Sequence, residues 1–251
     1  MPKHINSASR LFTISEKIAA SRDEAPALEV WAGIFGLPVG PVSPVDVCRR
    51  LIWINEEIDE MVAQMSATDF SEHLYLKPAE RMRNASSPTA MNGRAQGIKA
   101  HCSESVRSGL EYCAEMLPDE EDRVSPEDIM ALENLVAELK AMVAEADLPE
   151  HLRHLVQRHI DLLQGALDAL PIKGVKVLIE AALAASGQLG YLADDTNPEP
   201  SNVDTDQRQK VLAILKRTWT TVAKTIDVAA KAQKAYALCY AAYKAIEHIF
   251  P

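Results

Sequence analysis

Residues 43–66 read SPVDVCRRLIWINEEIDEMVAQMS, and this stretch sets the expectation for the whole chain. Ser43 is placed to cap a helix, Pro44 to fill its first position, where no N–H is needed, and Asp46 to meet the positive end of the helix dipole. At 100° per residue, Val47, Leu51, Ile54, Ile58, Met61, Val62 and Met65 collect on one side, with Glu56, Glu57 and Glu60 roughly opposite. The spacing predicts an amphipathic helix over 44–66 with its acids in solvent. Trp53 falls on the polar side near Glu60, where an indole needs a partner, either a second contact within the chain or an anchor to another molecule.

The same start signal recurs at Ser125-Pro126-Glu127-Asp128. Behind it Ile129, Leu132, Val136, Leu139, Val143 and Ala146 step by three and four in the coiled-coil manner, but for under three heptads, which favours a bundle member over a dimerising zipper. The 14 prolines leave proline-free windows at 45–77, 89–117, 127–148, 150–170, 172–197 and 201–250, each long enough for a helix. Only 10 glycines and 5% aromatics tilt the remaining composition toward helix and away from sheet. The fold class expected is all-α, a multi-helix bundle of about seven to nine helices with a long C-terminal helix or helix pair. In domain terms, 1–110 reads as an N-terminal helical part with a polar loop near 84–97. An acidic hairpin and central helices follow over 111–192, then a linker over 193–206 and a long helix over 207–251, in one compact domain or two closely packed subdomains.

From Asp206 to Phe250 neither Gly nor Pro interrupts, so one helix of about 67 Å is permitted at ~1.5 Å per residue. Its first stripe is Val211, Leu215, Trp219, Val222 and Ile226. A second, from Val228 through Ala232, Ala235, Cys239, Ala242 and Ile246 to Ile249, is displaced by roughly 140° at the same angular step. Tyr236, Tyr240 and Tyr243 flank that second stripe and, with Trp53, are the candidate interface residues.

Charge is uneven. Glu111 to Asp147 holds twelve acids against Arg123 and Lys140, which equals the net charge of −10 for the whole chain. Lys77 to Arg107 is locally +4, so the two stretches are expected to attract each other, or the basic one to meet an acidic or phosphate-bearing partner. The acidic balance disfavours nucleic acid as a general partner. The longest stretch free of charge, Val30 to Val45, is broken by Gly and Pro and cannot span a bilayer. With no apolar leader after Met1 and no CxxC among Cys48, Cys102, Cys113 and Cys239, a cytoplasmic protein with reduced thiols is expected.

Two constellations invite chemistry. His151, His154 and His159 have metal-like spacing, but His159 falls among Leu152, Leu155, Val156 and Leu163 while His154 faces the polar side, so one helix cannot aim both at one ion. Glu56-Glu57-Ile58-Asp59-Glu60 resembles the E-E-x-x-E half of the magnesium motif of all-α nucleotide pyrophosphohydrolases of the MazG type, which makes Glu56, Glu57 and Glu60 metal candidates. The second acidic pair that such families carry downstream does not appear. The oxygen-rich run Asp194 to Asp206 lacks EF-hand spacing, and no phosphate-cradling loop or nucleophile elbow is present, so no catalytic residue and no cofactor is assigned.

Leu28 to Leu37 (LEVWAGIFGL) and Leu152 to Leu189 resemble segments of uncharacterised all-helical bacterial proteins, a resemblance that implies a helical fold and carries no activity. The function expected is that of a non-enzymatic helical interaction protein, an adaptor, regulatory or accessory component working through protein partners and self-associating through its C-terminal helix. The alternatives are a magnesium-dependent enzyme on a phosphorylated small molecule and a bacterial defence or toxin-neutralising accessory.

Overall fold

A computed structural model describes residues 4–38, 40–121, 124–145, 148, 150–194 and 205–229. Ten α-helices are present among them: α1 (Ser7–Ala19), α2 (Ala27–Ile34), α3 (Pro44–Ser66), α4 (Glu72–Ala85), α5 (Ala95–Lys99), α6 (Glu104–Met116), α7 (Pro126–Glu145), α8 (Glu150–Lys173), α9 (Lys176–Asp194) and α10 (Thr205–Ala229). The all-helical class read from the sequence holds, and α2 and α5 are short additions to the long segments its periodicity marks. No described helix is long and apolar enough to cross a membrane. The chain forms two compact units, one of residues 1–120 with 171–174 and one of 121–170 with 175–251.

In the first unit, α1 packs on α3 and α6, and α4 packs on the same two helices. The α3 stripe behaves as its spacing predicts: Val47, Leu51, Ile54, Ile58, Met61 and Met65 are all buried, and Ser43 caps the helix by accepting from the Asp46 N–H. Leu11, Ile18, Trp31, Met82 and Leu110 complete the core, and Trp31 stacks on Phe35 at 5.5 Å between ring centroids. The polar stretch 84–97 is more than a loop. It holds a 3₁₀ turn at Ala90–Asn92 and is tied back, the Ala95 N–H donating to the Ala25 carbonyl at 2.8 Å and the Ala27 N–H to the Gly93 carbonyl at 2.9 Å.

The start of α1 is fixed by a residue more than a hundred positions from its partners. Asn6, fully buried, accepts from the Ser9 N–H at 3.0 Å as N-cap of α1, and its amide nitrogen donates to the carbonyls of Ala114 (2.9 Å) and Leu117 (3.1 Å) at the end of α6. One side chain thus satisfies orphan groups at two helix termini.

Proline punctuation misplaces two boundaries, because α4 runs through Pro78 and α8 through Pro171. An internal proline leaves the carbonyl four residues earlier without its helical donor, which costs least where a neighbour closes over it. At α4 that neighbour is Gly109 of α6: a methyl group there would stand 2.5 Å from Pro78 Cγ and 3.6 Å from the Leu74 carbonyl oxygen. At α8 the helix ends two residues after Pro171, and Gly174 turns the chain at φ +71°, a left-handed conformation suited to glycine.

The second unit contains α7 to α10, with α10 packed on α7 and α9. Ser125 accepts from the Asp128 N–H at 3.1 Å and donates to its carboxylate, as the start signal predicts. Leu132, Val136, Leu139 and Val143 of α7 and Val211, Leu215, Trp219, Val222 and Ile226 of α10 are buried, so the short heptad pattern serves an intramolecular packing. The second C-terminal stripe from Ala232 onward, with Tyr236, Tyr240, Tyr243 and Cys239, lies outside the described residues.

The glycines supply a paired test. Gly165, inside α8, has nothing within 4 Å of an added methyl group. Gly165→Ala is expected to raise stability by about 0.5–1 kcal/mol through helix propensity alone. Gly109→Ala is expected to lower it by about 1–2 kcal/mol despite the same propensity gain, because α4 and α6 must separate. Urea-unfolding midpoints of the two variants check both signs.

Candidate functional site

The acidic cluster of α3 does not converge. Glu56 pairs with Lys173 at 2.7 Å, Glu60 accepts from Gln64 at 2.9 Å, and Glu57 is fully buried and takes both Nε (2.9 Å) and Nη2 (2.7 Å) of Arg10. Three carboxylates with three different partners leave no metal-ligand set, and no group of three His, Cys, Asp or Glu able to hold an ion occurs among the described residues. The expectation that Glu57 is solvated is corrected here. Carrying the 100° step through, Glu57 sits about 80° from the stripe axis, beside Met61, and α1 covers that flank with an arginine.

Arg10 also pairs with Glu120 at 2.5 Å, and the second oxygen of Glu120 accepts from the Ser7 N–H (2.9 Å) and the Gln64 amide (3.1 Å). Burial alone would lower the Arg10 pKa, but Glu57 and Glu120 outweigh it and hold the guanidinium above its ordinary value. Burial likewise pushes the Glu120 carboxyl up, and Arg10 with the Ser7 and Gln64 donors brings it net below the usual range. The cluster is a structural clasp among α1, α3 and the chain leaving α6, with every charge directed inward.

Trp53 is half-buried against the first unit's core, and the Arg50 guanidinium lies 5.7 Å from its ring centroid. In the second unit His159 is fully buried. The Trp219 indole N–H donates to its Nδ1 at 3.1 Å, so the neutral ring carries its hydrogen on Nε2, which finds no acceptor among the described residues. His154 is exposed beside Glu150, as the helical wheel requires. Cys102 and Cys113 are free and buried, and burial raises their thiols to about 12 and about 11, so both stay protonated at neutral pH.

The expected attraction between the basic and acidic stretches is replaced by nearer pairings. Arg83 meets Asp59, Arg94 meets Glu24, Lys99 meets Asp23 and Arg107 meets Glu16, while Arg81 donates to the Ala100 carbonyl. These partners all lie outside residues 111–147: Glu16 is on α1, Asp23 and Glu24 are in the turn between α1 and α2, and Asp59 is on α3. Lys77 alone of the stretch makes no ion pair or side-chain hydrogen bond among the described residues.

Lys77 stands on a feature that the sequence reading passed over. Between α4 and α6 runs an open groove of about 620 Å³, lined on one side by Phe70, Leu74 and Pro78 and on the other by Val106, Gly109 and Tyr112, with His73 and Lys77 on its rim. Leu74 is 45% exposed and Tyr112 64% exposed. One turn beyond Tyr112 on the same face, Met116 is also exposed. The close approach of Pro78 to Gly109 forms the floor. A helical wheel finds this face. The buried stripe of α6 is Val106, Leu110, Cys113, Ala114 and Leu117, and Tyr112 projects about 140° from its axis. This is the kind of misplacement that singles out Trp53.

In comparison with known proteins, no family model matches the chain, and no curated protein or solved structure matches it either.

His159 generates a pH prediction. Burial lowers its pKa from the ordinary 6.5 to about 4, so the unfolded chain binds this proton more readily than the folded one. Its contribution is therefore intact above pH 6.5 and is lost as the pH falls toward 4. Between pH 6.5 and 4.5 the loss is roughly 2–3 kcal/mol. His101 is also lowered, by burial and by Arg81, so the comparison is with His159→Leu, whose unfolding midpoint should fall less over that interval than the wild type's.

Proposed function

We propose that this chain is a non-enzymatic helical interaction protein, an adaptor or accessory component, and that the α4–α6 groove is the face it offers to a protein. The observation that carries the reading is the groove itself, which leaves Leu74 and Tyr112 in solvent on either side of an apolar floor. Exposed aromatic and aliphatic side chains gathered around a concave surface are what binding energy concentrates on. The acids that suggest magnesium chemistry support the same conclusion, since Glu56, Glu57 and Glu60 are engaged with Lys173, Arg10 and Gln64. A cytoplasmic setting accords with Cys102 and Cys113 as buried thiols.

The test is photo-crosslinking in the producing cell, with p-benzoylphenylalanine in place of Tyr112 and, as control, in place of exposed Glu29 on α2. A discrete protein adduct from position 112 and none from position 29 is the expected result. Equal or absent adducts at the two positions would contradict the reading.

A further inference from the structure

We infer that His159 is an acid-operated latch on α10: the helix is held in the second unit while the imidazole is neutral, and uptake of one proton by that ring releases it and bares its apolar stripe.

The polarity of one hydrogen bond carries the inference. An indole N–H can only donate, so the 3.1 Å bond from Trp219 makes Nδ1 of His159 the acceptor. A protonated imidazole carries hydrogen on both ring nitrogens. Its Nδ1–H would then point at the Trp219 N–H, two donors with no acceptor between them. The other side of the ring gives no relief, because Nε2 is buried and finds no acceptor among the described residues. A charged His159 and a seated Trp219 are therefore incompatible, over and above the cost of burying the charge.

Nothing around the ring compensates. His159 is the one buried titratable group among the described residues of α7 to α10. The charged groups near it along the chain, Arg158 and Asp161 on α8 and Lys216 and Arg217 on α10, are exposed or half-buried, as are Glu138 and Lys140 on α7 and Glu180 on α9. Arg217 is turned to Glu138, and burial is the sole cause of the lowered His159 pKa.

The element free to yield is α10. Of its buried polar side chains, Thr218 and Thr225 donate to the Ile214 and Thr221 carbonyls of the same helix, bonds that travel with it, and Trp219 alone reaches across to another helix. Trp219 also sits at the middle of the stripe, between Leu215 and Val222. In the first unit the polar clasp behaves in the opposite sense. Arg10 and the Ser7 and Gln64 donors hold the Glu120 carboxyl below the usual range, so acid that charges His159 leaves that carboxylate ionised.

The experiment is amide hydrogen exchange of the full chain followed by mass spectrometry, with rates divided by the intrinsic rate at each pH to give protection factors. An opening that takes up one proton, with His159 at about 4 when seated and 6.5 when released, should lower α10 protection by about tenfold per pH unit in the middle of that range and by about fiftyfold between pH 7 and pH 4.5. Protection of α1 and α3 should fall far less over the same interval. His159→Asn keeps an oxygen acceptor where Nδ1 stands and does not titrate, so its α10 protection should stay within about threefold across that range. His159→Leu, which lacks the titrating group as well, should be equally flat and serves if the Asn variant does not fold. Wild-type α10 protection that is independent of pH would overturn the inference. So would a fall of the same size in α1 and α3, which would make the opening one of the whole chain, or a fall that persists in the variants and so belongs to the surface carboxylates.

Discussion

The first unit depends on a polar clasp at its centre. Asn6 caps the start of α1 and, through its amide, the end of α6. Just beyond, the Glu120 N–H donates to the Ile5 carbonyl at 2.8 Å, and the Glu120 carboxylate returns to the Ser7 N–H and to Arg10. Arg10 then crosses to Glu57 in the buried side of α3. Three helices are therefore held by a handful of directional bonds in a place with little water. Removing any one partner leaves a buried group without its counterpart, a larger loss than the bond itself is worth. The position of α6 set in this way in turn fixes where Gly109 meets Pro78, and so the shape of the groove.

The clasp also explains why the most suggestive acids in the sequence have separate partners. Taking Arg10 and Glu57 out of water costs several kcal/mol per ion, offset only because each finds close, well-oriented partners. Any register of α1 against α3 that parts Arg10 from Glu57 leaves a buried charge uncompensated, which is strongly unfavourable. The geometry that accomplishes this leaves Glu56 and Glu60 on the outer face of α3, turned away from Glu57 and engaged with Lys173 and Gln64. The second unit shows the neutral version of the same device, in which Trp219 holds a buried His159 by one hydrogen bond and an edge-on ring contact at 5.7 Å.

Much of the fold is legible in the residues. Ser43-Pro44 and Ser125-Pro126 start α3 and α7 where local chemistry places them, and the stripes of α3, α7 and the first half of the C-terminal segment are the buried faces. These features are local, set by period and capping. What the sequence hides is long-range or marginal. Asn6 has an ordinary capping position, but its second duty involves carbonyls 108 and 111 residues later, which no periodicity predicts. Glu57 lies at the edge of its stripe, where a wheel alone does not decide between water and an arginine arriving from another helix. Pro78 and Pro171 read as boundaries because a proline's cost inside a helix depends on what packs over the freed carbonyl. The groove was within reach, since the displacement of Tyr112 from the α6 stripe is as visible as that of Trp53. Its significance appears only once Pro78 and Gly109 bring the two helices together.

The most direct test of the clasp is a double-mutant cycle on Arg10 and Glu57, with Arg10→Met, Glu57→Leu and the double variant compared by chemical unfolding. Each single change should cost about 3–5 kcal/mol, and the double variant should cost less than their sum by about 2 kcal/mol or more, because the second change removes a charge that the first has stranded. Single losses that add to within about 0.5 kcal/mol would show that the two groups do not act as a unit, and would contradict the account.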